Sequence, residues 1–167
     1  MLEVIEKFLK DSPEDKKLLE LQFFYCRKEG FNEKAADAAL KNIGLGAGKK
    51  EMFHFLFEFF SSASDYEKIL SIMKQALKQF PGEIGFMEYS AAALLQLNRY
   101  DDAIKILDKI VELNPGDTNS LFNMAILFEK VGRTEDARKI YGRILSVDPE
   151  NRTAEEAYLR LSIELIE

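Results

Sequence analysis

The spacing of three prolines constrains what this chain of 167 residues can fold into. Pro81, Pro115 and Pro149 are 34 residues apart, and each is followed closely by glycine or asparagine. Self-similarity at a period of this length is typical of a repeat made of two stacked helices. The period therefore predicts an all-helical repeat array.

Residues that turn the chain recur with the same period. Ser64, Asn98 and Gly132 each stand 17 residues before one of the prolines, and residues of these types commonly end helices. One period upstream of Pro81 the proline is replaced by Ala47, but Gly30 keeps the turn position. We call a set of residues that stand 34 positions apart a repeat column, and the columns predict a degenerate first repeat.

The repeat columns predict where each helix lies. Ser12, Ser64 and Thr153 are expected to cap helix starts. The glycine-rich segment 44–48 ends a helix, because each glycine costs roughly 1 kcal/mol there, and it is the expected flexible point. The predicted helices span residues 2–10, 13–29, 33–43, 50–62, 66–79, 83–97, 100–113, 118–131, 135–147 and 153–166.

Composition limits the class of partner and the compartment. A hydrophobic content of 47% is enough to fill a core, and the net charge of −6 provides no bulk positive field, so we expect no nucleic acid partner. The amino terminus lacks the basic start of a signal peptide, and no run of about 18 apolar residues provides a membrane span. The single cysteine, Cys26, forms no internal disulfide. We expect a soluble, cytoplasmic protein.

The segment Asn98–Ile104, together with Leu113-Asn114-Pro115 and its echo Val147-Asp148-Pro149, resembles the tetratricopeptide repeat. The resemblance implies an all-α fold, a right-handed α-α superhelix (TPR-type solenoid) of antiparallel helix pairs. It also implies one domain over residues 1–167. Its parts are an N-terminal helix (1–15), a degenerate repeat (16–49), three repeats (50–83, 84–117 and 118–151) and a C-terminal capping helix (152–167).

The resemblance further implies that the first helix of each pair lines a concave groove for a partner. The implied partner-binding residues are Phe24, His54, Phe55, Glu88, Tyr89, Ala92, Leu95, Phe122, Asn123, Ile126 and Lys130. In this family an asparagine at the position of Asn123 bonds a peptide backbone. The alternative is that the apolar members pack against neighbouring helices of the same array.

Two further expectations concern the residues in and around this groove. Phe53, Phe57 and Phe60 are expected in the core, whereas Phe55 is expected to face the ligand. The lysine and arginine with which family members grip a terminal carboxylate are missing, since Tyr89, Ala92 and Gln96 stand there. The resemblance therefore argues against a clamp for a charged chain terminus.

Three groups of residues that could form a metal site, a phosphate-binding loop or a pair of catalytic acids have simpler structural interpretations. Glu51, His54 and Glu58 share a helical face, but a solvated or partner-contacting histidine is a better account than a metal site. The segment 44–50 lacks the spacing of a phosphate-binding loop, and Asp101 and Asp102 fall in the first turn of a helix, where negative charge is stabilised. We expect no cofactor, no metal and no catalysis.

The sequence thus favours a non-enzymatic scaffold, adaptor or co-chaperone-like module that binds a partner peptide or helix in its groove. The alternative is a self-associating structural or assembly subunit, which would use the groove or the terminal helix from Thr153 to Ile166.

Overall fold

A computed structural model describes residues 1–166, and it contains ten helices and no strand within that range. Glu167, the last residue of the predicted domain, lies outside the described residues. The helices are α1 (Leu2–Asp11), α2 (Lys16–Lys28), α3 (Asn32–Gly44), α4 (Lys50–Ser62), α5 (Tyr66–Gln79), α6 (Ile84–Gln96), α7 (Tyr100–Leu113), α8 (Thr118–Lys130), α9 (Thr134–Val147) and α10 (Arg152–Glu164). None of these helices is long and apolar enough to cross a membrane.

The helices group into two compact units, one of residues 1–86 and one that begins at Met87. In the first unit α1 packs on α2, α2 on α3, α3 on α4 and α4 on α5. In the second unit α7 packs on α8, α8 on α9 and α9 on α10. Within each unit these helices therefore meet their sequence neighbours, as helix-pair repeats require.

The turn inside each helix pair is built in the same way. Gly30, Ser64, Asn98 and Gly132 all have positive φ, at 80°, 57°, 56° and 74°. In the last of these turns the Arg133 N–H donates to the Phe128 carbonyl oxygen at 2.7 Å, the bond that closes a helix end over a left-handed residue. This repeat column therefore turns the chain, as the sequence predicts.

The structure corrects the predicted helix caps. Asp15, Asp65 and Asn151 are the N-cap residues, and their side chains accept from backbone N–H groups of the first turn. Ser12, Ser64 and Thr153 do not hold these positions. A carboxylate or amide oxygen next to the first turn competes well for the unpaired donors there, which explains why α2 begins at Lys16 rather than at residue 13.

Hydrogen bonds and close packing hold the glycine-rich segment after α3 in place. The Ala47 N–H donates to the Asn42 carbonyl oxygen at 3.0 Å, and Gln79 Nε2 donates to the Gly48 carbonyl oxygen at 2.6 Å. A Cβ at Gly48 would lie 2.5 Å from Ile43 Cγ1 and 2.9 Å from Phe53 Cε2. Glycine is needed at this position because the backbone passes close to packed side chains, which is not the geometry expected of a flexible linker.

Candidate functional site

One helix of the second unit carries a partly apolar surface. Along α8, Leu121, Met124 and Ala125 are buried, whereas Ile126 keeps 53% of its surface exposed. The spacing of three and four residues places the predicted residues of this helix on its outer side. We call these residues the α8 surface: Phe122, Asn123, Ile126 and Lys130.

The α8 surface rests on a fixed scaffold. The half-buried Phe122 ring meets the Tyr141 ring edge-on, with the ring centroids 5.9 Å apart. The Tyr141 hydroxyl donates to Glu129 Oε1 at 2.8 Å, and Arg160 Nη2 donates to Glu129 Oε2 at 2.6 Å. Burial, together with the bond to Glu129, raises the pKa of Tyr141. These contacts tie α8 to α9 and α10, so the backbone under Ile126 is firmly held.

Polar groups border the apolar centre of this surface. Asn123 is exposed, and its amide can both donate and accept a hydrogen bond. Lys130 is also exposed, but its Nζ lies 4.5 Å from the centroid of the Tyr100 ring. This cation–π contact directs the lysine toward the start of α7. The surface therefore offers an aliphatic side chain, an amide and a positioned cation.

The predicted residues of α6 differ in exposure. Glu88 and Ala92 are exposed, while Tyr89 and Leu95 are half-buried. Within these four positions the exposed pair is therefore polar or small, and the apolar pair is partly covered. Helix α6 adds a carboxylate and little exposed apolar area.

In the first unit the structure separates residues that the sequence grouped together. Phe24 keeps 40% of its surface exposed and His54 is half-buried, with its ring centroid 5.2 Å from that of Phe86. Phe55, by contrast, is only 6% exposed. Its ring packs edge-on against Phe23, with centroids 5.4 Å apart.

The expectation that Phe55 faces a ligand is therefore wrong. Besides Phe23, the Phe59 ring stacks on it at 6.0 Å, and the Arg27 guanidinium lies 5.8 Å from its centroid. Phe55 belongs to the core. Phe53 is fully buried, as predicted, whereas Phe57 and Phe60 are half-buried.

One repeat column is exposed in every repeat. Phe24, Glu58, Ala92 and Ile126 stand 34 residues apart along the first helices of the four pairs, and all four are exposed. Two of these side chains are large and apolar, a combination that marks contact surfaces when it is not explained by packing. Phe24 in the first unit and Ile126 in the second are therefore the exposed large apolar members of this column.

A second apolar feature was missed in the sequence. A surface cavity of about 500 Å³ is lined by Gly30, Phe31, Asn32, Glu33, Lys34 and Phe59. Phe31 is 48% exposed there. The sequence does contain a signal for this feature. Phe31 is apolar, whereas the same repeat column holds the charged residues Asp65, Arg99 and Arg133 in the other turns.

Two titratable groups near these surfaces form ion pairs, Lys34 with Glu6 at 2.8 Å and Glu129 with Arg160 at 2.6 Å. No group of three or more histidine, cysteine, aspartate or glutamate residues that could hold a metal occurs in the described part of the chain. Cys26 is fully buried, and burial raises the pKa of its thiol. Physically, these surfaces are suited to binding through apolar contact and hydrogen bonds.

Comparison with known proteins gives a consistent answer. A family model described as tetratricopeptide repeat matches residues 61–120 and 94–161. The chain is 18% identical to MamA (residues 41 to the end) from Desulfovibrio magneticus RS-1, with a TM-score of 0.66 over 90% of this chain and 85% of that one. It is 16% identical to YrrB, described as a TPR protein with an unusual peptide-binding site, with a TM-score of 0.68 over 98% of this chain and 84% of that one.

A third similar structure is MamA AMB-1, at 16% identity and a TM-score of 0.68, with 90% of this chain and 82% of that one covered. No curated protein matched the sequence. Likeness at this level of identity shows the fold, a helical solenoid of the tetratricopeptide type.

Proposed function

Because the chain belongs to the tetratricopeptide repeat family, whose members are generally interaction modules, we propose that it is a non-enzymatic adaptor that binds an apolar segment of a partner protein on the α8 surface. The observation that carries the proposal is Ile126, which is more than half exposed on a helix whose other large apolar residues are buried, apart from the half-buried Phe122. Exposed apolar area of this kind is stabilised when a partner removes it from water.

The neighbours of Ile126 define what the partner segment needs. An apolar side chain of the segment would cover Ile126 and the exposed part of Phe122, and the Asn123 amide would pair with a backbone or side-chain polar group. Supporting this, the similar protein YrrB is described as having a peptide-binding site. The proposed groove residues Glu88, Tyr89, Ala92 and Leu95 on α6 would extend the contact, and Phe24 and His54 belong to the first unit.

A displayed library of random short peptides tests the proposal directly. Peptides are selected on the wild-type protein, and their affinities are then measured for three variants: Ile126→Glu, Asn123→Ala and Leu113→Glu. Leu113 is a matched control, because it is 54% exposed, lies at the end of α7 and is not part of the α8 surface.

We expect enriched peptides to carry large apolar residues. Fully burying one isoleucine side chain contributes about 1.5–3 kcal/mol, and Ile126 is 53% exposed, so Ile126→Glu should weaken binding by roughly four- to twelvefold. Asn123→Ala should weaken it less, and Leu113→Glu should leave it unchanged. The proposal fails if no peptide is enriched, or if the selected peptides bind Ile126→Glu as tightly as wild type.

A further inference from the structure

Helix α1 occupies the position of the second helix of a pair. It lies one period before α3, and it precedes α2 as α3 precedes α4. Its inner residue Ile5 is buried, as are Met73 and Leu107 in the same repeat column. This side of α1 packs against α2, the first helix of the next pair.

The side of α1 directly beside Ile5 is uncovered. Met1, Val4 and Phe8 are 77%, 52% and 55% exposed. In complete pairs the column of Phe8 is fully covered, since Ala76 and Ile110 have no exposed surface.

The structure also shows what covers this column elsewhere. Asn42, one period after Phe8, donates from Nδ2 to the Lys16 carbonyl oxygen at 2.9 Å. Lys16 begins α2, which is the first helix of the pair that contains α3. The uncovered side of α1 is therefore the side that meets a first helix in a complete pair.

Helix α10 also stands without its pair partner, but it lacks the second helix of the pair, whereas α1 lacks the first. It lies one period after α8, in the position of a first helix, and it packs on α9 through the buried Ala154 and Leu161. Its other side exposes Leu159 at 55% and Ile163 at 61%. The column of Leu159 contains Ala125, which is fully buried in the α8–α9 pair.

The charges beside the two apolar sides are complementary when the helices run antiparallel. Arg152 and Glu156 are exposed on the side of Leu159 in the first half of α10, and Asp11 and Lys7 are exposed beside Val4 in the second half of α1. When the two helices are followed in opposite directions, the order of charges is positive then negative on α10 and negative then positive on α1. An antiparallel pair places the first half of one helix beside the second half of the other. Opposite charges would then be neighbours, which favours this pairing.

We propose that α10 of one copy packs antiparallel against α1 of a second copy and so completes a helix pair between two molecules. The second copy is the occupant that the structure supports, because the chain itself carries both halves of the missing pair. Two different surfaces are involved, so the contact is heterologous and lets copies join head to tail. This contact does not use the α8 surface and is independent of peptide binding.

Sedimentation velocity over a wide concentration range tests the proposal on the full chain. The first variant, Phe8→Glu, places a charge on the uncovered apolar side of α1. The second, Ile163→Glu, places a charge on the uncovered apolar side of α10, and the control is Leu113→Glu. All three side chains are more than half exposed, so the fold should persist, and circular dichroism verifies helix content.

We expect the mass of the wild type and of Leu113→Glu to rise with concentration to a dimer or beyond. Each of the other two variants alone should stay monomeric. An equimolar mixture of Phe8→Glu and Ile163→Glu should form a dimer that grows no further, because only one intact α10 and one intact α1 can meet. An unfolded variant could not give this result.

Three outcomes would overturn the proposal. A wild type that stays monomeric at every concentration means that something other than a second copy covers these surfaces. Dimers of Phe8→Glu alone mean that α10 pairs with itself. A mixture that stays monomeric while the wild type associates means that the contact lies elsewhere on the molecule.

Discussion

The Tyr141 hydroxyl donates a hydrogen bond of 2.8 Å to Glu129 Oε1, and this bond joins α9 to α8 beneath the α8 surface. Arg160 of α10 holds the second oxygen of the same carboxylate. One glutamate thus links three helices of the second unit. Substitutions of Tyr141 can therefore measure how much these contacts stabilise the helices beneath the α8 surface.

Tyr141→Phe should lower the free energy of unfolding. The change removes a hydrogen bond to a charged acceptor, which contributes about 1.5–3 kcal/mol, and the lower figure is expected because Arg160 still pairs with Glu129. Urea unfolding measures the difference. Tyr66→Phe is the control, since the Tyr66 hydroxyl makes no hydrogen bond within residues 1–166, and an equal loss in both variants would contradict the role of the bond.

The same pair predicts a dependence on pH. The pKa of Tyr141 is raised in the folded protein, whereas in the unfolded chain a tyrosine has a pKa of about 10. Above that pH the unfolded state loses its proton first, so the stability contributed by Tyr141 is complete below pH of about 10 and is lost as pH rises further. The difference in unfolding free energy between wild type and Tyr141→Phe should therefore shrink above that pH, and a constant difference would argue against the raised pKa.

Gly48→Ala should destabilise the first unit by about 1–3 kcal/mol. The new Cβ would lie 2.5 Å from Ile43 Cγ1 and 2.9 Å from Phe53 Cε2, closer than van der Waals contact, and both side chains are buried and cannot move away freely. Gly44→Ala is the matched control, because a Cβ there meets nothing within 4 Å at the end of α3. Thermal unfolding of the two variants should differ in midpoint, with Gly44→Ala at or above the wild type.

Phe55→Ala should cost about 3–5 kcal/mol of unfolding free energy, as expected for a phenylalanine removed from a core. Its partners Phe23, Phe59 and Arg27 would surround a cavity. Phe24→Ala, on α2, should cost much less, because 40% of that side chain is already in water. Similar losses in guanidinium unfolding would show that Phe55 is not core.

Cys26 should react slowly with a thiol reagent in the folded protein. Its side chain has no exposed surface and burial raises its pKa, so the reactive thiolate is scarce and inaccessible. Mild denaturant should accelerate labelling in parallel with unfolding. Ala92→Cys in a Cys26→Ala background gives an exposed reference thiol, and rapid labelling of native Cys26 would contradict the burial.

Much of the local architecture follows from the sequence period, while particular contacts do not. Helix α7 spans Tyr100–Leu113 as predicted, and Gly30 and Gly132 lie in turns as predicted, where both have positive φ. The caps Asp15 and Asp65 were missed because several polar residues precede each helix, and only the backbone geometry decides which oxygen reaches the first turn.

The sequence by itself determined the helices, their pairing and the side of each helix on which a residue lies, because a helical period assigns every residue a direction around its own axis. Only the tertiary structure decided which of those residues reach water. Leu21, Phe55 and Asn123 share one repeat column, yet Leu21 and Asn123 are exposed and Phe55 is buried. The physical reason is that exposure depends on the side chains of adjacent helices, and Phe23 and Arg27 cover Phe55.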